Sequence, residues 1–494
     1  MTYSDNIYKN HRFCPGTEQD PCFKEIPSKL KKSLSEIEKQ PADTTKRMDQ
    51  AWLLCLLKAG LVEHETVKRL FVELAKEIPD TFNDGEKRLT WDLKIEEDTA
   101  SIINYGRTLQ EPMSRLQLRK MCIRTMDNIV NLMETVLQTI EKNVDTIMPG
   151  HTHLSQAQPI TLAHYLLSIY DAIGRSFKQL ELAYSDTNRN TGGCGATSGT
   201  AWPVDRNYLT ELLGFDETVE PTYDCEASQD HSMSIIYSLC NLATIISKSS
   251  MDLNIWGMEE VGMLKASYDW CGVSSLMPQK CIPGSQVERS RFEACFVFGE
   301  MMTGLTLSKG EPHADMLPIC QVWGAALRAM LHAEASMSYY GGILQNSLPQ
   351  KERMLQNARE GYSCATEVVV HMVKELGYGG RRGHRILGTF VRMAREKGLK
   401  AYETTGELLD EAARFAGEKE PGIDTDTLRK LLDPVEFIKS HNNIGGTSED
   451  EAKRMINVRL GKLEDIKKRH GERKNKIKNA MENLKSQVEE IINN

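Results

Sequence analysis

The 12 cysteines form no Cys-x-x-Cys pair, and the nearest neighbours, Cys14 and Cys22, are eight apart. That scatter excludes a disulfide framework and a zinc cage, and fits the reduced thiols of a cytoplasmic protein. No apolar run approaches ~18 residues, so no membrane span is expected. Cationic excess is missing too: 61 Lys and Arg stand against 69 Asp and Glu, a net charge of -8, which argues against nucleic acid as the main partner. The opening MTYSDNIYKN is polar, without an apolar core, and no secretory signal is expected there. Alternating strand patterns are scarce. His151 and His153 are spaced as metal ligands can be, but no Cys, Asp or Glu stands near them at ligand spacing. Neither a metal nor a cofactor is expected.

What is present is helical period. From Leu116 to Val144 apolar residues fall at Cys122, Met126, Ile129, Met133, Val136, Ile140 and Val144, in steps of three and four. Similar patterns run through Ser232–Trp256, Val287–Leu307 and Val322–Leu344. They are apolar on more than one side, as helices buried in a bundle are. The spacing predicts an all-α protein with a central bundle of long helices. The boundaries read from composition are an N-terminal helical domain 1–115, the bundle 116–350, a small helical domain 351–460 and a charged helix 461–494. In that last segment Ile477, Met481, Leu484, Val488 and Ile491 step by four and three, an amphipathic helix that packs on the body or on a partner helix.

Three loops punctuate the helices: TIMPGHTHLSQAQPI (146–160), the Gly/Ser/Thr stretch NTGGCGATSGTAWPVDR (190–206) and CGVSSLMPQKCIPGSQ (271–286). Loops held on rigid helices are where function concentrates. In the third, Lys280 lies six residues after Ser274. A lysine beside a serine lowers the hydroxyl's pKa and also binds carboxylates. No Gly-x-Ser-x-Gly elbow surrounds the serine, so acyl transfer has no local support. Alone, this stretch would read as a polar turn.

The three loops together resemble the aspartase/fumarase superfamily, and within it the argininosuccinate lyases, whose patterns are approximately PGYTHLQRAQP, GAGALAGTxYPIDR…LLGF and GSSxMPQKKNP. The likeness covers about Met48 to Leu460 and includes LSKGEP (307–312), RRGHRILGTFV and GGTSEDEAKR. The resemblance implies an all-α chain that assembles as a homotetramer, each active site drawing loops from three subunits. It also implies β-elimination from a succinyl-type carboxylate, normally releasing fumarate. Such a reaction builds an aci-carboxylate dianion. It needs cations and donors where that charge develops, a base on one side and an acid near the leaving group. Carried over by position, Ser274 matches the base and Lys280 the lysine that meets the aci-carboxylate. Thr152 and His153 match the pair that binds substrate and handles the leaving-group proton, and Lys309 a carboxylate-binding lysine. Arg107, Thr108 and Gln110 fall in the substrate-binding stretch GRSRND; Ser275 and Gln279 belong to the serine loop.

The chain departs from the pattern where substrate is recognised. Ile282 stands in place of an asparagine that donates to a substrate carboxylate. Val273 replaces the glycine before the serine pair. GRSRND has become Gly106-Arg107-Thr108-Leu109-Gln110-Glu111, and the Y-N-R-D-L-Q that grips a guanidinium is Asp315-Met316-Leu317-Pro318-Ile319-Cys320. Removing donors changes which substrate fits. The expectation is a carbon–heteroatom lyase, C–N most of all, with retained elimination chemistry and altered specificity. Elimination of a non-amine group, such as phosphate from a sulfonated lactate in a coenzyme M-type pathway, stays open. So does a non-catalytic structural or ligand-binding homologue.

Overall fold

The computed structural model describes residues 21–37, 42–76, 85–87, 89–90, 93–108, 112–274, 276–277, 281–282 and 285–494. Three helices come first: α1 (Pro21–Ile37), α2 (Ala42–Lys58) and α3 (His64–Ala75). The bundle follows as α4 (Met113–Glu141), α5 (Leu162–Thr187), the short α6 (Arg206–Leu213), α7 (Asp230–Trp256), α8 (Ser285–Ser308) and α9 (Val322–Asn346). These bounds lie within two or three residues of the periodic segments read from sequence. Then come α10 (Lys351–Glu360), α11 (Ala365–Leu376), α12 (Gly380–Glu396), α13 (Gly406–Phe415), α14 (Pro434–Ser440) and α15 (Glu449–Asn493). The protein is all-α, as expected.

Local chemistry sets the ends. Thr161 caps α5 by accepting the His164 N–H at 3.1 Å. Asp205 caps α6 through the N–H groups of Asn207 and Tyr208, and Gly214, at φ 69°, ends it in the left-handed region. Along α4 the predicted stripe Cys122, Met126, Ile129, Met133, Val136 and Ile140 is buried in one core with residues of α5, α7, α8 and α9. A second core joins α2 and α3 to α6 and to Leu484, Val488 and Ile491 of α15; a third holds α11 to α14 together. Helix α15 runs unbroken through position 461, which composition alone marks as a boundary. Met455, Ile456 and Leu463 seat its first half on the bundle core and its second half lies on the N-terminal helices.

Several polar groups inside the bundle are paired. Glu334 accepts from Thr125 at 3.0 Å and meets Arg124 at 2.6 Å; His332 Nδ1 lies 2.8 Å from Glu293. Toward solvent the bundle is less finished. Phe292, Phe296, Met302 and Leu305 of α8 are exposed, Met302 at 62%, and Tyr237 and Met251 of α7 lie two heptads apart on an exposed face.

Candidate active site

The stretch 146–160, read from sequence as a loop, is a hairpin. Strand β1 (Ile147–Thr152) pairs antiparallel with β2 (Ser155–Thr161), with a bulge between Pro149 and His151. Two prolines and no clear alternation hid it. Thr152 pairs with Ser155, so His153 and Leu154 alone make the turn, at φ 53° and 59°. Two consecutive positive-φ residues are the demand of a type I′ turn, ordinarily met by Asn-Gly. A histidine and a leucine there store strain, the kind of device found at functional sites. Leu154 is 83% exposed, and Thr152 and His153 are exposed beside it. The hairpin is fastened from behind: Gln156 Nε2 donates to the Asn357 carbonyl of α10 at 3.0 Å, and Gln158 to Thr366 Oγ1 at 3.4 Å.

The serine loop is also closed by strands. In the short pair β3 (Gly272–Val273) and β4 (Cys281–Ile282), Val273 faces Cys281 and Gly272 faces Ile282. Val273 precedes Ser274, so the predicted base is one peptide unit, about 3.8 Å, from this pairing. The Ser274 Oγ accepts two backbone N–H groups, Leu276 at 3.3 Å and Met277 at 3.0 Å. Such donors hold a turn, and they also stabilise negative charge on the oxygen. Ser275, Gln279, Lys280 and, in the earlier stretch, Gln110 lie outside the described residues. The loop's base is set by Trp270, buried, whose carbonyl accepts from the buried Gln286 Nε2 at 3.1 Å.

The remaining predicted residues sit elsewhere. Lys309 follows the last residue of α8, a 24-residue helix, so it stands about 36 Å along the bundle from the end where α8 begins. Arg107 points inward. Its Nη2 donates to Asp49, its Nε to the Ile103 carbonyl at 3.0 Å, and both members of the ion pair are 2% exposed. Thr108, half-buried, follows it. Here too lies the 190–206 loop: Thr200 and Trp202 close on Gly106, and Tyr105 stacks on Trp202 at 5.1 Å. Tyr223 donates to the His313 carbonyl at 2.9 Å, and the Cys320 thiol to Asp315 at 2.7 Å.

The predicted site residues therefore fall in two clusters at opposite ends of the bundle. One end of the bundle, where α4 runs out, α5 begins and α7 and α9 end, bears the Thr152–His153 hairpin and the Ser274 loop. The other bears Arg107, Thr108, the 190–206 loop, Tyr223 and the 309–320 segment. No hydrogen bond or ion pair among the described residues joins the hairpin tip to the Ser274 loop.

Sequence reasoning passed over Asp49, which fixes Arg107 from 58 positions away. It also passed over Arg206, whose guanidinium holds the 190–206 loop through the carbonyls of Gly192 and Val219, each at 2.9 Å, and touches the Cys225 sulfur at 3.4 Å. A hydrogen bond from Cys194, helped by Arg206, pulls the Cys225 thiol down to about 7. The only signal for Arg206 was its place in the WPVDR motif.

The chain is similar to known lyases. A family described as lyase matches residues 86–299. The argininosuccinate lyase of Methanocaldococcus jannaschii is 29% identical over 482 residues, covering 94% of this chain and 97% of the relative; that of Methanoculleus marisnigri is 28% identical, covering 88% and 90%. A crystal structure of EDDS lyase in complex with formate superposes with a TM-score of 0.90 at 25% identity, covering 99% of each chain. A class II fumarase from Schistosoma mansoni shares the fold at 12% identity, with a TM-score of 0.65 and coverage of 84% and 95%. Over nearly its whole length the chain is similar to argininosuccinate lyases, and it shares its all-α fold with EDDS lyase and class II fumarase. No helix among the described residues is long and apolar enough to cross a membrane.

Proposed function

We propose that the protein is a cytoplasmic C–N lyase that cleaves an N-substituted succinyl-type carboxylate to fumarate, or a close relative of it, and an amine. The observation that carries the reading is the Ser274 oxygen, which accepts two backbone N–H groups in the loop whose sequence also holds Lys280. A serine hydroxyl is a weak base at neutral pH unless its alkoxide is stabilised. Two N–H donors and a lysine supply that stabilisation, and the same lysine meets charge as it grows on the substrate carboxylate. The alkoxide takes the proton from the carbon beside that carboxylate. The electron pair forms the double bond, the C–N bond breaks, and the amine leaves with a proton delivered at the Thr152–His153 tip. Arg107, neutralised by Asp49, positions the 104–108 backbone, while Lys309 and Thr108 face a substrate carboxylate.

The working unit in this reading is a homotetramer. Half-sites about 36 Å apart on one protomer cannot act on one small molecule, and the exposed apolar faces of α7 and α8 supply the contact that brings other copies' half-sites alongside. Relatives named argininosuccinate lyase and EDDS lyase, one of the latter with bound fumarate, support the reaction class. The departures at 282 and 315–320 argue against argininosuccinate itself. Incubation of the protein with fumarate and a panel of amines, read by mass spectrometry, tests the class: a fumarate–amine adduct that Ser274→Ala fails to form supports it. A kcat/KM for argininosuccinate above ~10⁴ M⁻¹s⁻¹ would show that the specificity argument is wrong.

A further inference from the structure

Helix α15 closes a cavity of 340 Å³ against α2, α4 and α6. Its walls are apolar, with Leu116, Ile123, Leu212, Leu213, Ile477 and Leu484 contributing. Around it stand Arg47, Arg119, Lys120, Lys474 and Lys478, and among the described residues no carboxylate lines it. On the outside Lys474 meets Asp127 at 2.9 Å, and Lys478 meets Glu482 at 3.7 Å.

Arg119 is different. It is buried, lies over the Phe215 ring at 4.6 Å, and donates to two neutral acceptors, the Asn188 side chain at 3.1 Å and the Leu213 carbonyl at 2.8 Å. No carboxylate among the described residues pairs with it. A buried cation with no carboxylate in direct contact is costly, and burial outweighs the distant field of Asp216 and pulls this guanidinium down to about 10. An apolar cavity of ligand size, ringed by cations and walled by no anion, has a matching occupant.

We propose that this cavity is a second ligand site, separate from the lyase site, that takes an amphiphilic anion: a single carboxylate or similar head among Arg47, Arg119 and Lys120, with a hydrocarbon body against the leucines. A succinyl-type substrate carries too much charge and too little apolar surface for it. The floor residues Leu212 and Leu213 belong to α6, which begins at the Arg206 that holds the 190–206 loop, so the occupied cavity touches the element that carries a half-site.

Decanoate is the probe, titrated calorimetrically into the full-length protein, with decanol and decyltrimethylammonium as uncharged and cationic counterparts. The expected result is one saturable decanoate site per chain, tighter than decanol, with no binding of the cation. Ile477→Trp, which fills the cavity, should abolish it. The surface variant Lys120→Gln/Lys478→Gln, which leaves the core untouched, should weaken decanoate roughly three- to tenfold and leave decanol unchanged. Absence of saturable binding overturns the proposal. So does binding that both variants retain at full strength, or decanol bound as tightly as decanoate.

Discussion

Gly342 and Trp270 make a sharp test of how the serine loop is held. A Cβ placed on Gly342 would lie 2.0 Å from Trp270 Cη2 and 2.3 Å from Cζ3. Carbon atoms rest about 3.5–4.0 Å apart, so Gly342→Ala demands a retreat of roughly 1.5 Å from one of the partners. Gly342 is buried near the C-terminal end of the core helix α9, packed against the bundle, and cannot give. Trp270 is buried and its carbonyl is held by Gln286, so the ring moves only by shifting the segment that runs two residues later into β3 and then Ser274. Overpacking of this kind costs about 1–3 kcal/mol, and a reacting group displaced by ~1 Å costs on the order of 10² in rate. Gly342→Ala should thus lower kcat about a hundredfold while circular dichroism keeps the helical signature. Trp270→Phe removes the ring atoms that clash, so the double variant should recover much of the loss, a coupling of neighbouring sites that additivity would not give. Gly342→Ala with unaltered kcat, or a double variant as poor as the single, would refute the claim that this contact positions the serine.

Three further outcomes follow from the geometry. Ser274→Ala should cost on the order of 10²–10³ in kcat and Ser275→Ala much less; the reverse order, measured with the true substrate, moves the base by one residue. Mixed tetramers of Ser274→Ala and Lys309→Ala chains should regain part of the activity that neither homotetramer has, and verified hybrids without recovery would refute sites shared between copies. His231 is buried with no hydrogen-bond partner for either ring nitrogen among the described residues, and burial, with Arg115 adding, holds its imidazole well below 6.5. The unfolded chain takes up that proton first, so the contribution to stability is intact above about pH 6.5 and is lost as pH falls below it, by up to ~1.4 kcal/mol per unit. His231→Leu should flatten this acid limb in denaturant titrations; an unchanged limb assigns it to other groups.

The long helices were legible because burial on several faces imposes a spacing that local sequence must carry. Cys122 to Ile140 wrote their stripe directly. The three functional loops were legible as motifs, but their shapes were not. The 146–160 hairpin forms in spite of Pro149, Pro159 and a left-handed histidine, because Gln156 and Gln158 tie it to the elements behind it. The inward turn of Arg107 depends on Asp49, a partner no periodicity marks. Gly461 and the charge of the tail suggested a new unit, yet a glycine inside a helix costs only about 1 kcal/mol, and Met455, Ile456 and Leu463 outweigh it by seating the helix on the bundle.

The left-handed pair at His153 and Leu154 also bears on how this protein would respond to selection. A screen that rewards heat resistance alone should find Asn-Gly at these two positions, since the turn then forms without strain. The winners would be easier to make, harder to unfold and inert. Thermal screens of this scaffold therefore need turnover scored in the same round, and natural variation at the hairpin tip sorts working enzymes from those that have kept only the fold.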